Sequence, residues 1–348
     1  MIHSCYRTLF GGRMNDQALA LIDRVVVEAR DGAVQDKRTI LQLLALSPDS
    51  DEAAYLAEQA RLFALEASGG VARIAGAIGI DRAPCSMNCK FCSFGEKWGI
   101  VTEESVLTTD QVLDIARAYA REGVTMITLR TTEFFDLNAV MDLARAIRAD
   151  VPGSYELNMN VGELTPELCE ACHEAGLDSA YHVLRLREGA DTPFDPEDRK
   201  RTIRAIAESS LKWNTNIEPV GPEHTDEELA DSMLFALSHH PYSVGIMPRV
   251  PVKGTPFGHT QPLAPSRVRQ LVATLRLVAG SGVPFVLAHP NDEDGLTCGA
   301  NNFSVERGAI PRDNKPVDGE WRGKTPAHAL KALRAAGYRT AQRDATML

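Results

Sequence analysis

Three of the chain's seven cysteines crowd into one short segment, Ala83-Pro84-Cys85-Ser86-Met87-Asn88-Cys89-Lys90-Phe91-Cys92-Ser93-Phe94, with C-x3-C-x2-C spacing. Three thiolates on one loop can hold three irons of a [4Fe–4S] cluster and leave the fourth iron open to another ligand. A structural zinc site takes a fourth Cys or His a few residues away, and none follows here. A bacterial ferredoxin run ends in Cys-Pro, which is also missing. The other cysteines, Cys5, Cys169, Cys172 and Cys298, stand apart from this segment and from one another, except for the pair in Cys169-Glu170-Ala171-Cys172-His173. That pair spells a haem-attachment string, but it falls inside a helical pattern with Leu168 and Cys172 on one face, so packing is its expected role.

The chain has 348 residues, 44% of them hydrophobic and 24% charged, enough to bury a sizeable core. Lys plus Arg is 37 against 47 Asp plus Glu, a formal charge of −10. An acidic chain with no dense basic run speaks against nucleic acid or an anionic membrane as partner. Apolar runs such as Thr39–Leu46 fall far short of the roughly 20 residues of a membrane span. The opening Met1–Arg13 lacks a signal-like apolar core, and the odd cysteine count does not suit a secreted disulfide framework, so a cytoplasmic protein is expected. Neither G-x-G-x-x-G nor G-x-x-x-x-G-K-[ST] occurs, leaving dinucleotide and P-loop readings without a motif.

The elements that must position the cysteines follow from periodicity. Helical spacing over Asp16–Arg30 and Asp51–Ala67 predicts a helical lead-in across residues 1–70. Strand patterns follow at Arg73–Ile80, Met126–Thr132, Tyr155–Asn160, Ser179–Leu184, Lys212–Val220, Ser243–Val250, Pro284–His289 and Asn301–Val305. Helical patterns separate them at Thr109–Glu122, Leu137–Ala149, Thr165–Ala175, Pro196–Ser209, Thr225–His239 and Ala264–Ala279, and Thr225-x-x-Glu228 is a capping-box signature. Eight such alternations predict an α/β fold, a (β/α)8 TIM-type barrel over residues 71–320, with a closing helix and tail over 321–348. A doubly wound open sheet is the alternative. In either fold, chemistry belongs at the C-terminal strand ends, where the cysteine loop falls.

The cysteine segment, with Phe91 before its last cysteine, resembles the signature of the radical S-adenosylmethionine (SAM) superfamily. The resemblance implies a [4Fe–4S] cluster on Cys85, Cys89 and Cys92, and SAM chelating the open iron. It implies reductive cleavage of SAM to a 5′-deoxyadenosyl radical that abstracts hydrogen from a substrate, and an electron donor such as flavodoxin or ferredoxin. Between roughly residues 50 and 340 the chain looks like the biotin-synthase branch. Val252-Lys253-Gly254-Thr255-Pro256, Cys298-Gly299-Ala300-Asn301-Asn302 and Asn216-Ile217-Glu218-Pro219-Val220-Gly221 carry that likeness. By the same resemblance, Phe91, Glu133, Arg185, Arg187, Ile217 and Gly221 are the residues expected around SAM. Glu133 ends a Thr131-Thr132-Glu133 triplet whose first two residues replace the family's glycines, and Val183 stands where relatives carry a glutamate.

Where biotin synthase carries the ligands of a second, [2Fe–2S] cluster, this chain has Arg130, Asn158, Asn214 and Asn291. Without those thiolates, sulfur insertion is the alternative rather than the expectation, and Cys5, Cys169, Cys172 and Cys298 are the residues a second cluster would need. A non-catalytic iron–sulfur or zinc protein is the other alternative. Polar residues at strand ends mark the expected substrate pocket: Arg130, Asn158, Asn160, His182, Glu218, Arg249, His289, Asn291 and Glu306. An apolar interior has no need of so many polar groups, each of which requires a partner when buried. The expected substrate is a small polar, amino-acid-like molecule bearing a carboxylate or other anion near Arg130 or Arg249, and the expected outcome is rearrangement or C–C cleavage. A loop over residues 307–314 is expected either to cap the barrel mouth or to form a surface turn.

Overall fold

A computed structural model describes residues 14–313 and 321–340. Cys5, the last residue of the 307–314 loop and the tail beyond Thr340 lie outside the described residues.

Three helices lead in: α1 (Asp16–Arg30), α2 (Lys37–Leu44) and α3 (Asp51–Ala67). Side-chain oxygens of Asn15, Asp36 and Ser50 cap their free N-terminal amides. The short α2 was not resolved from its surroundings by periodicity. It is anchored through its C-terminal carbonyls, where Gln270 Nε2 donates to Leu43, Leu44 and Leu46 at 3.0, 3.1 and 2.7 Å.

Strand β1 (Val71–Gly79) opens the barrel, and the cysteine loop follows it, flanked by a short antiparallel hairpin of β2 (Asp81–Arg82) and β3 (Ser105–Val106). Helix and strand then alternate through α4 (Thr109–Arg121), β4 (Met126–Arg130), α5 (Leu137–Asp150), β5 (Glu156–Asn160), α6 (Pro166–Glu174), β6 (Ser179–Tyr181) and α7 (Pro196–Ala207). The fifth barrel position is split into β7 (Lys212–Asn214) and β8 (Ile217–Val220), both of which pair with the next strand, and the ladder shifts register within β8, between Ile217 and Val220. The series closes with α8 (Asp226–Ser238), β9 (Ser243–Pro248), α9 (Pro265–Ala279), β10 (Phe285–Ala288), α10 (Asp292–Leu296), β11 (Asn302–Gly308), α11 (Pro326–Ala335) and β12 (Arg339–Thr340). Neighbouring strands run parallel; β10 pairs with both β9 and β11, and β11 pairs with β1 from Arg73↔Asn302 to Gly79↔Gly308. The sheet is therefore a closed (β/α)8 barrel and not the open doubly wound alternative.

Period-two alternation divides each strand. Ile74, Ile78, Ile127, Leu129, Leu157, Met159, Ile217, Val244, Ile246, Val286, Phe303 and Val305 face the helices and form the main core. Gly76 leaves room there for Tyr119: a Cβ would sit 2.6 Å from its ring, while the Tyr119 hydroxyl donates to Ala77 O at 2.9 Å. The other parity faces the lumen, where Ala75 and Ala77 are too small to fill the space and polar groups surround it. No described helix is long and apolar enough to cross a membrane.

Candidate active site

The cysteine loop is tied down from several sides. Cys85 N donates to Phe94 O at 2.6 Å, and Cys92 N to Cys89 O at 3.0 Å. Ser93 N reaches Pro311 O at 2.9 Å, and Lys90 bonds Asp191 through both its backbone and its ammonium. Asn88 adopts a left-handed φ of 47°, and its side chain accepts from Lys97 N at 2.9 Å. Phe94, Val101 and Ala309 form a small apolar cluster against Cys85 and Cys92.

Two cavities meet at this loop. The first, about 250 Å³, is the barrel lumen; the second, about 130 Å³, lies between the loop and the ends of β4 to β6. Cys89, Cys92, Arg130, Asn160, Tyr181 and Arg185 border both, and Cys85 borders the second. All three cysteines are free. Burial pushes the Cys89 thiol up to about 12 and Cys92 to about 11, with Arg185 pulling against the rise. These are soft sulfur donors held out of water, on a fixed loop, with no carboxylate among them. Among the described residues no three His, Cys, Asp or Glu side chains converge on one ion-sized point.

Around the second cavity sits a charged lattice. Arg199 lies 3.3 Å from Glu133, 3.1 Å from Glu163 and 3.2 Å from His182 Nε2, and it stacks over Phe194 at 3.6 Å. Burial raises the Glu133 carboxyl, with Arg199 and Arg185 opposing. Burial also lowers His182, although its bond to Glu163 opposes this. Asp81 borders this cavity as well, accepting from Thr132 N at 2.7 Å and from the Thr132 hydroxyl. The sequence reading missed Asp81 and Arg199 because they lie on a two-residue strand and a helix, away from the barrel-strand ends that it searched.

In the lumen, Glu306 is clamped by Arg130 at 2.6 Å, by Arg312, and by His289 Nε2 at 3.2 Å. Burial opposes its charge, but Arg312, His289 and Arg130 hold it well below the usual carboxylate range. Arg130 also donates to Ala309 O at 2.5 Å. Arg249 is held by Glu223, one bond measuring 2.8 Å, and by Thr260 at 3.3 Å. The two arginines expected to meet a substrate carboxylate thus already have carboxylate partners within the chain. Asn158 is likewise committed: it donates to Thr128 at 3.1 Å and accepts from Ser179 and Asn214 at 2.8 and 3.1 Å. Glu218 accepts from the Tyr181 hydroxyl at 2.6 Å and lies 3.8 Å from Arg185. Pro311 and Arg312 line the lumen, so the 307–313 segment caps the mouth rather than forming a surface turn.

Four expected residues border neither cavity. Arg187 is exposed and pairs with Glu228 at 2.7 Å, drawn to the start of α8 instead of inward. Ile217 has the outward parity between Asn216 and Glu218 and is buried in the core. Gly221 lies in the turn beyond β8, where a Cβ would collide with Arg249 and Glu223. Asn291 precedes α10, its carbonyl accepting from Gly295 N at 2.9 Å. Cys169 and Cys172 on α6, and Cys298 after α10, are buried in the core away from both cavities.

The radical SAM superfamily model matches residues 84–236. Biotin synthase of Hyphomonas neptunium is 28% identical over 212 residues, covering 58% of this chain and 65% of that protein, just under two thirds of its length. Biotin synthase of Halorhodospira halophila is 24% identical over 261 residues, 70% of this chain and 79% of its own. In fold, the chain resembles HydG, a maturase of the [FeFe]-hydrogenase, with TM-score 0.78, 14% identity, and 96% and 78% of the two chains covered. It also resembles methylornithine synthase (PylB), with TM-score 0.76, 17% identity, and coverage of 91% and 97%.

Proposed function

Starting from a chain that carries a radical SAM domain of the biotin-synthase-like kind, we propose that it is an enzyme acting on a small polar substrate held in the barrel lumen. The observation that carries this reading is the position of three free thiols, Cys89 buried and Cys85 and Cys92 half-buried, where two cavities share a wall. Cys85, Cys89 and Cys92 would hold a [4Fe–4S] cluster, which with bound SAM and one electron supplies a hydrogen-abstracting 5′-deoxyadenosyl radical.

The chain's own residues then bind, orient and exclude water. Ligation requires the three thiols to lose their protons, which their burial now disfavours, so loading releases protons. Glu133, at the edge of the second cavity, is an acceptor suited to an amino group, and Arg185 is a donor suited to a carboxylate. Arg199 and His182 hold Glu133 and its surroundings in place. The Phe91 and Tyr181 side chains and the Pro311–Arg312 cap line the lumen and would limit the entry of water, which a reactive intermediate requires. Asn160 borders both cavities and stands between the two compartments. Rearrangement or C–C cleavage is favoured over sulfur insertion because, among the described residues, the cysteines outside the loop lie away from the lumen. An external electron donor of the flavodoxin or ferredoxin type would complete the system.

The test is anaerobic incubation of the iron-loaded protein with SAM and dithionite. The expected result is 5′-deoxyadenosine in wild type and none in Cys85→Ala, Cys89→Ala or Cys92→Ala. Equal formation in the variants would overturn the assignment.

A further inference from the structure

At the end of the lumen opposite the cysteine loop lies Arg73, on the first turn of the barrel's first strand and 3% exposed. None of its three guanidinium nitrogens has a hydrogen-bond partner among the described residues. Its register neighbour on β11, Asn302, is 1% exposed, and both polar atoms of its side chain are also unpartnered. Both residues line the same cavity as Cys89 and Cys92. An unmade hydrogen bond in a buried site is costly, and more so for a charged group, so two adjacent groups in this state point to a missing partner.

The surroundings define that partner. Glu156 is the nearest carboxylate, 3.8 Å away and outside hydrogen-bond reach, and it is shared with Lys212 at 3.6 Å and Ser179 at 2.7 Å. Tyr242 and Phe285 flank the guanidinium, the Phe285 centroid at 4.4 Å and the Tyr242 centroid at 6.0 Å, which keeps it dry without giving it an acceptor. Two cations share one anion there, leaving the floor one positive charge in excess. The neighbouring polar side chains are already engaged: Thr128, Asn158, Ser179, Asn214 and Ser243 bond one another, with Ser179 also reaching Glu156 and Ser243 donating to Asn214 at 2.6 Å. Arg130 and Arg249, nearer the mouth, already hold Glu306 and Glu223.

We infer that Arg73 and Asn302 form a carboxylate-binding subsite at the floor of the lumen, so that the substrate is a short aliphatic carboxylate whose anionic end points away from the cysteine loop. Four residues separate Asn302 from Glu306 along β11, about 13 Å at the rise of a parallel strand. A chain of a few carbons held at the floor therefore reaches part of the way toward the wall shared with Cys89 and Cys92. This inference rests on the lumen being the substrate compartment, as proposed above.

The experiment is calorimetric titration of the full-length, iron-loaded protein under argon with adipate, glutarate and neutral adipamide. The expected result is carboxylate binding that weakens by about tenfold or more in Arg73→Met, is partly kept in Arg73→Lys, and is absent for adipamide. Glu156→Gln, which removes the competing anion, should tighten carboxylate binding. Equal affinity for adipate and adipamide, or weaker adipate binding in Glu156→Gln, would overturn the subsite and leave Arg73 as a structural partner of Glu156. Iron content and SAM affinity, read on the same samples, should match wild type in Arg73→Met. Loss of SAM binding in wild type itself, with carboxylate binding intact, would count against the radical reading and not against the subsite.

Discussion

Glu306 should couple the stability of the barrel mouth to pH. Its carboxylate joins Arg130 of β4, Arg312 of the capping segment and His289 beyond β10, and is 7% exposed. Glu306→Gln keeps the shape and removes the charge, stranding two guanidiniums. Removing one member of a buried ion pair typically costs about 3–5 kcal/mol. Arg130 retains Ala309 O, so the lower end, about 3 kcal/mol, is expected. At roughly 2–4 °C per kcal/mol for domains of 150–250 residues, Tm should fall by about 6–12 °C. The pH profile should change as well. Burial disfavours charge on His289, but Glu306 and Asp292 outweigh it and raise its pKa above 6.5. A raised histidine contributes stability that is complete below the unfolded value, near 6.5, and lost as pH climbs through the folded value. Wild type should therefore lose stability above about pH 6.5, and Glu306→Gln should flatten that loss. Glu306 itself, held low, contributes above its ordinary value near 4.5 and loses this as pH falls toward its depressed folded value. Anaerobic thermal melts followed by circular dichroism from pH 4 to 9 read both effects. A variant within about 0.5 kcal/mol of wild type, or with the same slope above pH 6.5, would refute the reasoning.

Other outcomes follow from the same contacts. Gly79→Ala drives a Cβ into the backbone of Ala309; since neither side can yield cheaply, we expect a loss of about 1–3 kcal/mol in chemical denaturation. Cys172→Ala removes a buried core thiol on α6 and should leave iron content unchanged while lowering stability by about 1 kcal/mol; loss of iron would instead place that residue in a second cluster. Glu133→Gln should weaken SAM binding by about tenfold in equilibrium dialysis, because it removes the acceptor's charge, with little change in iron per chain.

The barrel was legible because most strands carry an apolar alternation and most helices a side-chain cap, Pro265–Ala279 and Asp292–Leu296 being exceptions. Ile74 and Ile78, or Ile127 and Leu129, repeat at two, and Thr225-x-x-Glu228 forms the capping box its spacing announces. What periodicity does not show is where a ladder slips. The reading of Lys212–Val220 as one strand missed the interruption at Thr215-Asn216 and the register shift between Ile217 and Val220, neither of which side-chain parity marks. The candidate site was legible in residue type and less so in partnership. Arg130, Arg249, Glu306 and Asn158 were all placed in the lumen, but whether an arginine is free for a ligand depends on which carboxylate reaches it across the barrel. Glu306 lies 176 residues from Arg130 in sequence, a pairing no local pattern encodes. Arg73 was passed over for the opposite reason. It begins a strand, where polar residues are ordinarily solvated or structural, and only the closed lumen shows that it is buried without a partner.

The central claim is that Cys85, Cys89 and Cys92 hold one cluster with an open iron facing SAM. Iron and sulfide analysis after anaerobic reconstitution, with EPR of the reduced protein before and after adding SAM, addresses it most directly. The account predicts about four irons per chain and a reduced-cluster signal that SAM perturbs, both lost in the Cys85→Ala/Cys89→Ala/Cys92→Ala triple variant. No iron, or a signal that SAM leaves unchanged, would contradict it.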